Sequence, residues 1–139
     1  MRRRVSSFQT KQRASAKALQ FFLGVDVVEY QKAKLFYVRH KNRLEDFFHH
    51  SEISFIRKNR RPYKSLALLL AAKEAVFKSS GKPWMGTEGF RKIEILAKKR
   101  NRLEVRLKGD FKGSFSRRRP PSLSVLKSRR YVVAGCHSA

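Results

Sequence analysis

Ala71-Ala72-Lys73-Glu74-Ala75-Val76-Phe77-Lys78 is the stretch whose reading decides the fold. It closes a run of strong helix formers, Ser65-Leu66-Ala67-Leu68-Leu69-Leu70. Apolar residues surround this helix for almost two turns, which predicts burial. Glu74 and Lys78 then stand one turn apart, on the face that carries Leu70 and Ala67. A carboxylate on an otherwise apolar face needs a partner, because an unpaired buried charge is expensive. Two readings follow. In one, the helix end emerges into solvent with an i,i+4 Glu–Lys pair of small energetic weight. In the other, Glu74 holds a hard cation and Lys78 a phosphate oxygen. Taken alone, the helix favours the first.

Upstream, Lys58-Asn59-Arg60-Arg61-Pro62 is a basic loop stopped by its proline. The central helix is expected from about Tyr63 to Ser80, with Gly81 as its C′ residue. Shorter helices are expected over Ser51–Arg57, with Ser51 as N-cap, around Leu44–Phe48, and from Glu29 to about His40. Phe21-Phe22-Leu23-Gly24-Val25-Asp26-Val27-Val28 reads as a buried strand with Asp26 its one polar residue. Residues 1–20 carry Arg2, Arg3, Arg4, Lys11, Arg13 and Lys17 and no acid, the composition of a mobile basic arm. An organellar transit peptide has similar composition.

Downstream the pattern changes to strands. Ile93 and Ile95 alternate with charged neighbours, and Leu103, Val105 and Leu107 with Glu104, Arg106 and Lys108. Lys98 to Asn101 is a hairpin loop. Asp110 to Pro121, rich in Gly, Ser, Arg and Pro, is a longer loop. Leu123–Leu126 and Tyr131–Ala134 form a last strand pair. The class is α+β: a mainly antiparallel sheet, drawn from the second half and the first strand, packed on a long central helix and shorter ones. Residues 1–20 are the arm, and 21–139 are one domain.

The 139 residues suit one domain with a real core. The formal charge is +24, which attracts polyanions: nucleic acid, an anionic membrane, a phosphorylated ligand or an acidic protein. One cysteine, Cys136, excludes an intrachain disulfide and fits a reducing compartment. The longest wholly apolar run, Leu66 to Ala72, is far too short to span a bilayer. His49-His50 reads as a surface pair, Trp84 as a packing anchor or pocket lid, and Ser124 as a strand residue. Cys136-His137 is too close to the end to argue a dyad.

Asp26 and Glu74 gain meaning together. Each is an acid at the end of a buried apolar element. Two carboxylates meeting in such a site suit Mg2+, which takes one or two carboxylates and completes its shell with water and phosphate. Asp26 alone is equally a turn or capping aspartate.

At these residues the chain resembles a family. Gly24-Val25-Asp26-Val27-Val28-Glu29 is similar to the Gly-x-Asp-[Ile/Val]-Val-Glu signature of phosphopantetheinyl transferases of the small holo-acyl-carrier-protein synthase type. Phe48 to Glu52 resembles its Phe-Thr-x-x-Glu segment, and residues 71–78 its Ala-Ala-Lys-Glu-Ala-x-x-Lys helix. Phe90 to Ile95 resembles Trp-x-x-Ile-Glu-Val. Ser124 and Tyr131-Val132-Val133-Ala134 fit the last two strands. The resemblance runs from about residue 21 to 135.

It implies transfer of phosphopantetheine from coenzyme A to a serine of an acyl carrier protein, a step of fatty acid biosynthesis in the cytoplasm. By the same resemblance Asp26 and Glu74 are the Mg2+ ligands, and Lys78 contacts the diphosphate. Arg60 and Arg61 hold the nucleotide 3′-phosphate, with Lys127 a further coenzyme contact. Glu29 and Lys32 face the carrier protein. The base is left open between Glu74 and a water on the metal. A homo-oligomer, a trimer, is implied too. The chain departs from the family at three places. Leu69 replaces a basic residue, Lys127 replaces a histidine, and Asp110–Pro121 replaces an Ala-rich helix. A divergent, weakly active member is therefore an alternative. So is a basic RNA- or ribosome-binding protein, supported by charge and Arg117-Arg118-Arg119 but by no recognition motif. A membrane-surface protein lacks its amphipathic basic helix.

Overall fold

A computed structural model describes residues 22–83, 85–115 and 120–138. Strand β1 (Phe22–Glu29) leads into α1 (Tyr30–His40). A 3-10 turn (Leu44–Asp46), α2 (His50–Lys58), α3 (Pro62–Ser79) and the short α4 (Gly86–Arg91) follow. Hairpin β2 (Ile93–Ala97) and β3 (Leu103–Leu107) precedes β4 (Ser122–Lys127) and β5 (Tyr131–Ser138). This is the α+β class expected. The expectations for the basic arm, Phe21, Trp84 and Arg117–Arg119 lie outside the described residues.

Helix α3 is the axis of the fold. Pro62 occupies its first turn, where a missing N–H costs nothing. Ser80 caps the other end, and Gly81 follows at φ 69°, the left-handed C′ position predicted for it. Leu66, Ala67, Leu69, Ala71, Ala72, Ala75 and Val76 are all fully buried. The core closes around them with Leu44, Ile56, Ile93 and Phe111.

The sheet differs from expectation in two ways. It is two sheets: antiparallel β1-β5-β4, and the separate hairpin β2-β3. The connection after β3 is a 3-10 turn (Gly109–Gly113) that tucks Phe111 and Phe115 into the core. It therefore does not reverse as a tight hairpin that would pair β4 with β3. Second, β1 is half-buried. Gly24 faces α3, while Leu23, Val25 and Val27 on the other face are 69%, 48% and 54% exposed. Valines on both faces hide this alternation in the sequence.

The α2 cap also differs. His49, not Ser51, is the N-cap, and the Glu52 carboxylate accepts from the His49 backbone N–H at 2.8 Å. His49 is half-buried and packs against the Arg91 carbonyl oxygen, while His50 is exposed, so the two are not alike. Burial first, then the Lys73 charge, lowers the His49 pKa.

Candidate active site

The site forms where β1 crosses α3. A Cβ on Gly24 would run into the Ala75 carbonyl oxygen and the Ser79 backbone nitrogen. Glycine thus lets the helix backbone lie directly on the strand. Asp26, two residues along, points to the same side. Glu74 precedes Ala75, so the close approach that needs Gly24 also delivers Glu74 to Asp26.

The electrostatics register this meeting. The Glu74 carboxyl is half-buried, and its pKa is raised by that burial first and by the negative charge of Asp26 second; Lys78 opposes both. Lys78 Nζ donates to Asp26 Oδ1 at 2.8 Å and to the Val25 carbonyl oxygen at 3.1 Å. The lysine therefore bridges from α3 to β1, and the i,i+4 Glu–Lys pair weighed in the sequence is not the contact it makes. Of the two carboxylates that the sequence paired across the fold, Asp26 lies near enough for its charge to act on Glu74.

This donor set is hard and incomplete. Among the described residues no cluster of three or more His, Cys, Asp or Glu could hold a metal. Two carboxylates alone suit a cation that draws its remaining ligands from water and substrate phosphate, the habit of Mg2+. Zinc or another ion that wants a closed protein cage would find too few ligands here.

Lys127 sits on the same side of the sheet. Asp26 pairs with Ala134, and Ala134 with Val125; in the next inward row Val28, Val132 and Lys127 align. Lys127 lines an open cavity of about 520 Å³ together with Tyr30, Lys58, Asn59, Lys64 and Ser65. Arg60 and Arg61 are exposed on the loop before α3 and are not among its lining residues. Lys58 and Lys64 are, and sequence reasoning missed them because nothing in their spacing marks them. Leu69, where the family pattern has a cation, is fully buried and contributes no charge. Glu29 and Lys32 are exposed at the end of β1 and in the first turn of α1.

A second feature escaped the sequence. Lys73 and Glu52 form an ion pair of 2.7 Å with both side chains fully buried. The other candidates resolve simply. Cys136 is buried and accepts from Ser79 Oγ at 3.2 Å, while His137 is exposed on the opposite face of β5, so no dyad exists. Among the described residues no helix is long and apolar enough to cross a membrane.

Comparison with known proteins gives the family and the fold. The family model of the 4'-phosphopantetheinyl transferase superfamily matches residues 22–136. The holo-[acyl-carrier-protein] synthase of Chloroherpeton thalassium is 34% identical over 114 residues, 81% of this chain and 92% of that protein. The enzyme of the same name from Caldanaerobacter subterraneus subsp. tengcongensis is 34% identical over 96 residues, 68% of this chain and 73% of that one. Among solved structures, the Chronobacterium ammoniagenes ACPS–CoA complex superposes with a TM-score of 0.72 at 25% identity, covering 86% of this chain and 97% of that one. Helicobacter pylori holo-[acyl-carrier-protein] synthase in complex with coenzyme A superposes with a TM-score of 0.69 at 24% identity, over 84% and 99%, a likeness of fold. With the motif-bearing strand and helix meeting at one site inside the matched span, the chain belongs to the 4'-phosphopantetheinyl transferase superfamily.

Proposed function

We propose that this chain transfers the 4'-phosphopantetheine group of coenzyme A to a serine hydroxyl of an acidic acyl carrier protein. The observation that carries the reading is the approach of Asp26, Glu74 and Lys78 where β1 crosses α3; a separate cavity, toward the start of α3, carries Lys58, Lys64 and Lys127. In the reaction the serine oxygen bonds to the phosphorus that bears pantetheine. The P–O bond to the nucleotide breaks, adenosine 3′,5′-bisphosphate leaves, and the serine proton passes to a base. Such a transfer depends on positioning and charge neutralisation more than on covalent chemistry.

Asp26 and Glu74 are the residues that would hold Mg2+, which when bound neutralises charge on the diphosphate. Lys78 serves the same diphosphate, its ammonium standing at Asp26 with half of the side chain exposed. The proton acceptor is left between Glu74 and a water at the site. Lys127, Lys58 and Lys64 hold the nucleotide phosphates, and Arg60 and Arg61 add charge from the adjoining loop. Lysine in place of histidine at 127 still donates to phosphate, as a longer point charge.

The carrier protein docks on Glu29, Lys32 and the exposed side of α1. The net charge of +24, to which the six cations of residues 1–20 contribute, steers an acidic partner toward the site. Residues 21–139 are read as the transferase domain, working in the cytoplasm. The exposed apolar face of β1-β5-β4 (Leu23, Val25, Val27, Leu126 and Tyr131) supports a homo-oligomer, read as a trimer. Mass spectrometry of an apo carrier protein incubated with this chain, coenzyme A and Mg2+ tests the reaction. The carrier gains one phosphopantetheine; an unchanged mass would overturn the assignment.

A further inference from the structure

The buried pair between α2 and α3 has no part in the chemistry above. Glu52 Oε2 accepts from Lys73 Nζ at 2.7 Å and from the His49 backbone N–H at 2.8 Å, and Oε1 accepts from the Ile95 N–H at 2.8 Å. Lys73 Nζ also reaches the Phe47 carbonyl oxygen at 3.4 Å and lies 5.1 Å from the Phe48 ring centre. One carboxylate and one ammonium thus tie α3 to α2, to β2 and to the segment before α2.

Stability does not account for the pair. Taking two charges out of water costs several kcal/mol each, and apolar residues of similar volume often serve as well or better. Burial does lower the Lys73 pKa, against the pull of Glu52. What apolar packing lacks is direction. Around Leu66 to Val76, α3 is apolar on nearly every side and carries four buried alanines, so hydrophobic burial alone discriminates weakly among rolls of the helix. A hydrogen-bonded ion pair discriminates sharply. Glu74 is the next residue, about 100° further round the helix. With Lys73 held toward α2 and β2, Glu74 and Lys78 fall on the side where β1 presents Asp26. Gly24 sets how closely the helix approaches the strand, and the pair sets which side it shows.

We propose that Glu52 and Lys73 are positioning residues of the transfer site, fixing the roll and axial register of α3 so that Glu74 and Lys78 face Asp26. The proposal rests on Asp26 and Glu74 being the cation ligands, and its test keeps the two ideas separate. The full chain is compared with Glu52→Leu/Lys73→Met, with Lys73→Gln and with Glu74→Gln. Urea unfolding gives stability, and electron paramagnetic resonance follows titration with Mn2+ as the probe ion. The double variant is expected to unfold cooperatively, with stability lowered by the Ile95 and His49 N–H groups that lose their acceptor, while its Mn2+ dissociation constant rises about tenfold or more, as for other groups that orient metal ligands. Lys73→Gln keeps a donor but not the charge. It carries the same test if the double variant does not fold, and its Mn2+ affinity is expected to fall at temperatures where it is fully folded. Wild-type Mn2+ affinity in a folded double variant, or in folded Lys73→Gln, overturns the positioning role. If those variants bind normally while Glu74→Gln loses Mn2+, only the positioning role falls. If Glu74→Gln binds Mn2+ as wild type does, the ligand reading falls first and takes this proposal with it.

Discussion

Lys78 pairs with Asp26 on β1, Nζ to Oδ1 at 2.8 Å, although Glu74 stands one turn away on its own helix. Without a cation, the lysine compensates a strand carboxylate and leaves Glu74 in a half-buried site facing Asp26's charge. Asp26 and Glu74 would hold a divalent cation, whose charge would ease the repulsion that raises the Glu74 pKa.

Glu74→Gln is expected to stabilise the metal-free chain at neutral pH. The folded-state pKa of Glu74 is raised, so this group favours folding while protonated. That contribution is present below its unfolded pKa and is lost as pH rises through the folded one, leaving a charged Glu74 that opposes folding at pH 7. Thermal melts show a higher Tm for the variant at pH 7, and the difference narrows on acidification through the carboxylate range. Added Mg2+ raises the Tm of the wild type by binding the native state and raises the variant's by less. A variant that melts below wild type at pH 7 contradicts the electrostatics described.

Gly24→Ala tests the approach of strand and helix. Its Cβ meets backbone, which cannot swing aside as a side chain would. Overpacking of this kind costs about 1–3 kcal/mol. The helix must lift from β1, separating Glu74 from Asp26. Urea unfolding and Mn2+ titration should both report a loss, and a fully stable variant with normal affinity would refute the geometry.

Much of this was legible in the sequence, and the reasons are specific. Helix α3 announces itself by composition, Pro62 and Gly81. Gly24 and Asp26 stand out because a glycine and an acid interrupt an apolar strand. Lys73 stayed hidden because, beside Glu74 and near Lys78, it looks like one more solvent charge; its burial depends on Glu52, which lies on another helix. Lys58 and Lys64 stayed hidden for a similar reason, since a cavity wall is assembled from separate elements. The split of the sheet depends on where Phe111 and Phe115 tuck in, and no local pattern encodes that.

The outer face of β1-β5-β4 makes a prediction of its own. Val27 is 54% exposed there and Leu126 70% exposed. Sedimentation velocity should find the wild type as an oligomer and Val27→Lys shifted toward monomer, because a charge at the centre of an apolar contact is desolvated without a partner. A wild type that is monomeric at micromolar concentration would leave this face without the role assigned.

The division of labour between Glu74 and Lys78 is tested most directly by steady-state transfer rates of wild type, Glu74→Gln and Lys78→Ala across a Mg2+ titration. Glu74→Gln weakens the hold on the cation and Lys78→Ala removes a positive charge at the diphosphate, each a loss of about 3 kcal/mol, or roughly a hundredfold in rate. Excess Mg2+ should recover part of the loss in Glu74→Gln, where the cation binds more weakly. It should recover none in Lys78→Ala, because a metal ion cannot occupy the lysine's position. Near-wild-type rates in both variants, with stability changed by less than about 0.5 kcal/mol, would mean an ordinary solvated helix end and contradict the account.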